Sequence, residues 1–548
     1  MEVFHLNHKK IFSVAFIGAA LALVLTGCSS GSTKSGSKDL AINSKDIIST
    51  MDSSTVTDTI GAQNLANTME GLYRYSGRKI EPGIATKVVT PTKGGTQYNF
   101  NLRNAKWSNG DPVTAYDFVY SWRRIVDPKT ASQYSYIFQG VKNADKITNG
   151  KASPKTLGVK AIGPHKLQVN LSQPIPYFNS LLTGASYLPL NQKVVEKAGS
   201  KYGLNSKEMV FDGPFKLDKW QVGNTAWTES KNNSYWNKDN VKLNNIKYYV
   251  VKDPNTGLNL YASHVIDRYQ DLSGDSANQL KNNKDFSTNP TSSTYYIEMN
   301  EKKDPFFKNT KIRQAIGHSI NRQLLSNQVL GKTATPDASV VPSKMTWNKQ
   351  TGTDFENEPQ SKQDASYNNY NPKLAKQLWT EGLKETGQKN LNLTLLSDDT
   401  DSALKQSEFL QAELQKLPGL KVTLANVPFK NRLQRSTSGD FDMVVSAWNA
   451  DFPDPVTFLN LFETGGAMND GHWSNKEFDN QIKEASDKNA GNYQARWQNL
   501  LNAQTILTKQ EGVVPLYQLN TAALTRNDVK NYNMSPNGNY DLAAAYKK

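Results

Sequence analysis

The chain of 548 residues contains a single cysteine, Cys28. No internal disulfide can form, so the folded body must rest on its core alone. A lone thiol also excludes a Cys/His zinc centre. Beyond residue 27 only four histidines remain, His165, His264, His318 and His472, none of them in an H-E-x-x-H pattern. A Walker A loop and a G-x-G-x-x-G turn are missing, which removes the usual phosphate and dinucleotide sites. The nearest approach to a nucleophile elbow is Gly317-His318-Ser319-Ile320-Asn321. It carries Asn321 where glycine is needed and falls inside a predicted helix. Asp398-Asp399 follows a predicted strand and reads as a loop or cap, not an acid/base pair. No catalytic residue, cofactor or bound metal is expected, and the chain does not read as an enzyme. The net charge is +14, yet the basic residues are scattered among acids and amides. No dense basic run marks a nucleic-acid site, and the charge suits an anionic cell envelope.

What is present begins at the N-terminus. Lys9 and Lys10 precede an apolar run at residues 11–25 that ends in Leu25-Thr26-Gly27-Cys28. About fifteen apolar residues suit the core of a signal peptide and fall short of the roughly 20 that cross a bilayer. No later stretch is apolar enough to span a membrane. Small residues just ahead of a cysteine resemble a bacterial lipobox. That resemblance implies a signal peptide at 1–27, lipid on Cys28 and attachment to the outer face of the bacterial cytoplasmic membrane. An ordinary secretory signal with an incidental cysteine is the alternative. One acyl chain holds a protein marginally and two hold it well. Residues 29–38 (SSGSTKSGSK) bury nothing, so a flexible tether is expected over 28–41.

The body reads as mixed α/β. Residues 97–102 alternate polar and apolar as a half-buried strand does. Residues 114–125 have helical spacing, with Thr114 as N-cap and Asp117 completing a capping box. Strands are predicted at 166–171 and 246–251, and one long amphipathic helix at 310–330. A helix at 372–383, a strand at 391–396, a helix at 402–417 and a strand at 420–427 make a β-α-β-α run, the signature of a parallel, helix-covered sheet. A last long helix is predicted at 493–507. About 520 residues after the leader exceed one core several-fold, so two or three lobes are expected.

Residues 95–128 read GTQYNFNLRNAKWSNGDPVTAYDFVYSWRRIVDP. This segment resembles the signature of the extracellular solute-binding proteins of the peptide/nickel class, the oligopeptide-binding proteins. Three later segments agree: Gly213-Pro214-Phe215-Lys216-Leu217 with Trp220, residues 300–322, and SAWNADFPDPVTFLN at 446–460. The resemblance implies a two-lobed α/β fold of the periplasmic-binding-protein type, with three domains and clam-shell closure. Its expected parts are 42–70 with 196–297 and 516–548 as the first lobe, 71–195 as an added domain of that lobe, and 298–515 as the second lobe. It implies oligopeptides as cargo, the permease subunits of an ABC importer as partners, and a monomer. Nickel chelates, haem, opines, sugars and a signalling peptide remain alternative cargoes within the same class.

Every peptide shares a backbone and an ammonium terminus, so strand addition is the natural sequence-tolerant solution. By position in the family pattern, Ala447, Trp448 and Asn449 present the backbone on one side. Thr57, Asp58 and Thr59 form the opposing edge, and Asp451 takes the ammonium group. Tyr134 lines the ligand by the same resemblance, Tyr295 and Tyr296 are further candidates, and Trp448 either covers a side-chain pocket or packs in the core. An ordinary core strand at 443–449 is the plainer reading, and one strand can be both. Asp454, ahead of Pro455, competes for the helix-cap role. No Arg or Lys stands in residues 443–449 to receive a carboxyl end; Arg432 and Arg435 are the nearest cations in sequence.

Overall fold

A helix-flanked mixed sheet organises the chain. The computed structural model describes residues 38–272, 274–331 and 333–548. The signal peptide, Cys28 and nearly all of the expected tether lie outside them. The strand β1 (Asp39–Ser44) opens with Leu40 fully buried, so the sheet begins inside the segment expected as tether. The other main strands are β2 (Phe215–Asp218), β3 (Ala226–Lys231), β4 (Asn245–Val250), β5 (Arg268–Tyr269), β6 (Phe286–Met299), β7 (Leu391–Asp398), β8 (Leu420–Val427), β9 (Met443–Asn449) and β10 (Val514–Thr525). Their order across the sheet is β8-β7-β9-β6-β10-β5-β1-β4-β3-β2, with a short strand at Ala334–Pro336 added on β10. The predicted β-α-β-α run is present: β7 pairs parallel with both β8 and β9.

The helices that matter here are α1 (Thr59–Thr68), α2 (Ala115–Val126), α3 (Thr310–Ser319), α4 (Pro372–Thr386), α5 (Asp401–Leu414), α6 (Phe429–Ser438) and α7 (Tyr493–Lys509). On one face of the sheet Ile297, Met299, Met443, Val445 and Leu516 pack against Ile312 and Ile316 of α3, Trp379 of α4 and Leu410 of α5. Burial of such aliphatic side chains contributes about 1.5–3 kcal/mol each. The helix predicted over 310–330 is a misreading. It ends at Ser319, and Ile320 is extended at φ −94°, ψ 118°. Asn321 then caps a new short turn at Leu324. Ile320 is fully buried all the same, so apolar spacing alone could not reveal the break.

The strands β6 and β10 are the longest in the sheet and pair in two stretches. Residues 286–290 face 520–524, and 294–297 face 514–518, with register shifts between. Gln518 Nε2 reaches the Thr291 carbonyl at 2.7 Å, and Thr291 Oγ1 the Leu519 carbonyl at 2.8 Å, which patches the interrupted ladder. The boundaries expected at 297/298 and 515/516 fall within these two continuous strands.

Residues 71–195 hold a separate three-stranded sheet, Gln97–Asn101, Lys166–Asn170 and Val159–Ala161. The helix α2 covers an aromatic core of Phe118, Trp122, Phe138 and Tyr187. The capping box is formed as expected: the Thr114 backbone N–H donates to Asp117 at 2.7 Å. Thr114→Ala should lower stability by about 1 kcal/mol, read as a fall in melting temperature with peptide affinity unchanged.

Candidate functional site

The strand β9 pairs along its whole length with β6 on one side. On the other side β7 reaches only Met443 and Val444. Among the described residues no strand pairs with residues 445–449 on that side, so β9 has an open edge there. Antiparallel pairing alternates hydrogen-bonded and non-bonded residue pairs. The Ala450 N–H donates to the Ser292 carbonyl at 2.8 Å. By alternation Trp448 and Ser446 also turn their backbone groups toward β6. Val445, Ala447 and Asn449 turn theirs to the open edge. The expectation that Trp448 presents its backbone is therefore corrected; Ala447 and Asn449 do so. The side chain of Asn449 is engaged structurally. It accepts from Ser293 Oγ at 2.9 Å and donates to the Asn537 carbonyl at 2.7 Å. Gly538 makes that approach possible, since a Cβ there would lie 2.7 Å from Asn449 Oδ1.

Asp451 follows directly and is held by its neighbours. Ala450 is buried, and Phe452 stacks on Tyr177 at 4.4 Å. The Asp451 N–H donates to Thr457 Oγ1 at 3.2 Å. Asp454 serves the loop, as expected. Arg496 binds both its oxygens at 2.8 Å, and Asp454 Oδ1 accepts from the Val456 N–H at 3.1 Å. The Asp451 carboxylate stays clear of those ties. Tyr134 Oη donates to Asp451 Oδ1 at 3.4 Å. The side chain keeps some accessible surface, yet dense surrounding protein pushes its carboxyl up to about 7. Burial of the charged form is the main cause, and the tyrosine hydroxyls pull the other way. Asp451 is thus a carboxylate with no cationic partner among the described residues, in a closed protein environment that disfavours its charge.

Tyr134 and Tyr136 belong to the short turn Gln133–Phe138 after α2, anchored by buried Phe138. Their rings lie 5.7 Å apart. Trp448 lies nearly parallel to Tyr134 at 6.5 Å, and its Nε1 is buried without a hydrogen-bond partner. Burial, then the charge of Asp451, raises both tyrosine hydroxyls well above their usual range; Asp58 adds to the effect on Tyr134. The segment Thr57-Asp58-Thr59 thus comes to this neighbourhood, with Thr57 and Thr59 exposed. The Asp58 side chain caps α1 through the N–H groups of Ile60 and Gly61. Tyr296 is buried, edge-on to Phe462 at 5.6 Å. Tyr295 lies on the opposite face, stacked on Tyr517 at 4.7 Å. Sequence reasoning missed Tyr136, two residues from Tyr134 and visible to the same argument. It also missed Asn537, whose link to Asn449 spans 88 residues and leaves no local signal.

A carboxylate in a closed environment thus stands at the end of an open strand edge, an arrangement suited to a binding protein for an extended guest. The profile of the bacterial extracellular solute-binding proteins, family 5 Middle, matches residues 79–470, and the chain belongs to that family. A dipeptide-binding protein of Lactococcus lactis subsp. cremoris is 37% identical over 496 residues, 88% of each chain. The structure of Listeria monocytogenes OppA bound to peptide has a TM-score of 0.87 at 40% identity, over 94% of this chain and 100% of that one. The pheromone receptor PrgZ, solved for its mode of peptide binding, gives 0.87 at 36% identity, over 94% and 100%. The fold is therefore the α/β periplasmic-binding-protein type implied by residues 95–128.

Proposed function

We propose that this chain captures oligopeptides outside the cell and delivers them to an ABC-type peptide importer. The observation that carries the reading is the Asp451 carboxylate beside the open edge of β9. A peptide laid antiparallel on that edge bonds Ala447 and Asn449 through its backbone and brings its ammonium group to Asp451. Tyr134 and Trp448 flank that end, the 57–59 segment closes the opposite side, and Tyr296 stands further along. Water in the side-chain pockets satisfies whatever polar group arrives. No bond chemistry is required of the chain.

The three-part organisation read from the sequence fits this task. The first lobe comprises 42–70, 196–297 and 516–548, with 71–195 as its added domain; 298–515 is the second lobe. Tyr134 on Asp451, Tyr177 on Phe452, and Arg78 over Trp347 at 5.0 Å join residues 71–195 to the second lobe. A guest that bridges both shifts the equilibrium toward closure. The protein acts as a monomer, and its closed form is what the permease subunits recognise. After removal of residues 1–27, lipid on Cys28 holds it at the outer face of the cytoplasmic membrane. The Cys28→Ser chain should then appear in the medium; retention on the cells would defeat the anchor assignment. The central experiment is mass spectrometry of ligand co-purified with the chain lacking residues 1–28, followed by calorimetric titration with peptide. Peptides released at one per chain and saturable one-to-one binding are expected. A non-peptide solute in the released fraction, with no heat from peptide, would sink the proposal.

A further inference from the structure

The register of β6 on β9 places Thr294 opposite Trp448, Tyr296 opposite Ser446 and Glu298 opposite Val444. Directly opposed side chains share a face, so these form one row leading away from Asp451. Arg432 of α6 and Asp470 close the far end. Arg432 is 8% exposed, and its Nε donates to Asp398 Oδ1 at 3.0 Å. Among the described residues its two terminal nitrogens have no hydrogen-bond partner, nor do the Tyr296 hydroxyl and the Asp470 carboxylate. Tyr296 is only 4% exposed, and its hydroxyl responds to Glu298, Asp470 and Arg432, which sets it toward this group. The Gly471 N–H donates to Glu298 Oε2 at 3.1 Å, which fixes that carboxyl beside Asp470. Tyr296 and Arg432 are buried and Asp470 is half-buried, and polar groups left without protein partners in such a place mark where a polar guest belongs.

We infer that Tyr296, Glu298, Asp470 and Arg432 form a subsite for a cationic side chain, lysine or arginine, of a bound peptide. The inference rests on the peptide reading above. The obvious competitor is a carboxylate held by Arg432, and a charge count decides against it. Asp398 already neutralises the arginine. What remains is Asp470, with its carboxyl pushed by burial to about 6, and Glu298, pushed to about 8. At pH 7 the first is ionised and the second mostly protonated. An arriving carboxylate therefore meets a net negative pocket. An arriving ammonium or guanidinium meets one carboxylate and draws the proton off a second. Strand rise puts the row about 14 Å from residue 449 to residue 445, so the selected side chain belongs to a peptide residue beyond the second.

The test is calorimetry with alanine pentapeptides carrying lysine, norleucine or glutamate singly at each position. At one position beyond the second, lysine should bind about tenfold tighter than norleucine, roughly one charge pair in a shielded site, and glutamate weaker than both. Asp470→Asn alone should remove most of that preference, Asp470→Asn with Glu298→Gln all of it, and the all-alanine peptide should bind both variants as before. Arg432→Gln should increase the preference. Equal binding of lysine and norleucine at every position, or a preference undiminished in Asp470→Asn, overturns the subsite. So does an Arg432→Gln protein that alone stops distinguishing carboxyl-terminal acid from amide. If the all-alanine peptide fails to bind the unaltered protein, it is the peptide reading itself that falls.

Discussion

Asp451→Asn should weaken capture of a short peptide by on the order of a hundredfold and raise the melting temperature of the ligand-free protein. Both effects have one cause. Loss of one partner from a shielded charge pair typically costs about 2–5 kcal/mol of binding, and tenfold in affinity is about 1.4 kcal/mol. In the empty protein the same carboxylate is a burden. Its pKa rises from 3.8 to about 7, and each pKa unit corresponds to about 1.4 kcal/mol. The sign follows from proton uptake. The folded state holds a proton between about pH 4 and 7 that the unfolded state has already released. Stability from this group is therefore greatest below about 4, falls as pH rises through 7, and is level above. Asparagine removes that penalty at neutral pH. Binding has the opposite dependence, because the ammonium group selects the ionised carboxylate. Affinity should fall about tenfold per pH unit below 7 and should lose this slope in the variant. Calorimetry between pH 5 and 8 and thermal melts of the empty protein check both. A variant that binds as before removes Asp451 from the site. Reduced affinity without added stability would show that the carboxylate's charge was already compensated in the empty protein.

Ala447→Pro and Trp448→Pro, one residue apart, should have different outcomes. Proline deletes a backbone N–H and is tolerated in sheets where that group faces outward from an edge. At 447 the N–H faces the open side of β9, so the fold should survive. The incoming peptide loses one backbone partner and meets a ring, so affinity should fall roughly tenfold or more. At 448 the N–H belongs to the ladder with β6, and the indole stacked on Tyr134 is lost as well. That substitution should cost more than about 3 kcal/mol and abolish the cooperative melt or shift it far down. Circular dichroism melts of both proteins, with titration of the one that folds, give the answer. If both proteins fold and bind normally, strand addition on β9 is wrong.

The parts of this molecule that were legible in the sequence are those with local causes. The Thr114–Asp117 box and the run from α4 to β9 follow from spacing within a few residues, and both stand where they were read. The break at Ile320 was illegible because the side chains buried by a helix and by an extended bend are the same ones. The placing of β10 between β6 and β5 is set by contacts more than two hundred residues apart along the chain, which no local pattern records. The site divides in the same way. Asp451 could be singled out because its motif is local, and Asp454 took the loop-holding role that left its carboxylate free of those ties. The outward turn of Ala447 and Asn449 and the inward turn of Trp448 needed the register of β6. The grouping of Tyr296, Glu298, Asp470 and Arg432 needed a strand, a helix and a loop brought to one place.

If the two proposed lobes turn against each other, the interrupted ladder between β6 and β10 is where the turn costs least. Two uninterrupted strands carry the covalent crossing, and both lose regular pairing at the same level, near Thr291–Ser293 and Leu519. Bending there disturbs the fewest ladder bonds, whereas sliding would break every bond on either side. On the two-lobed reading proposed above, release of cargo is a rotation about one short line, and stiffening that line should slow unloading without altering any group that touches the guest.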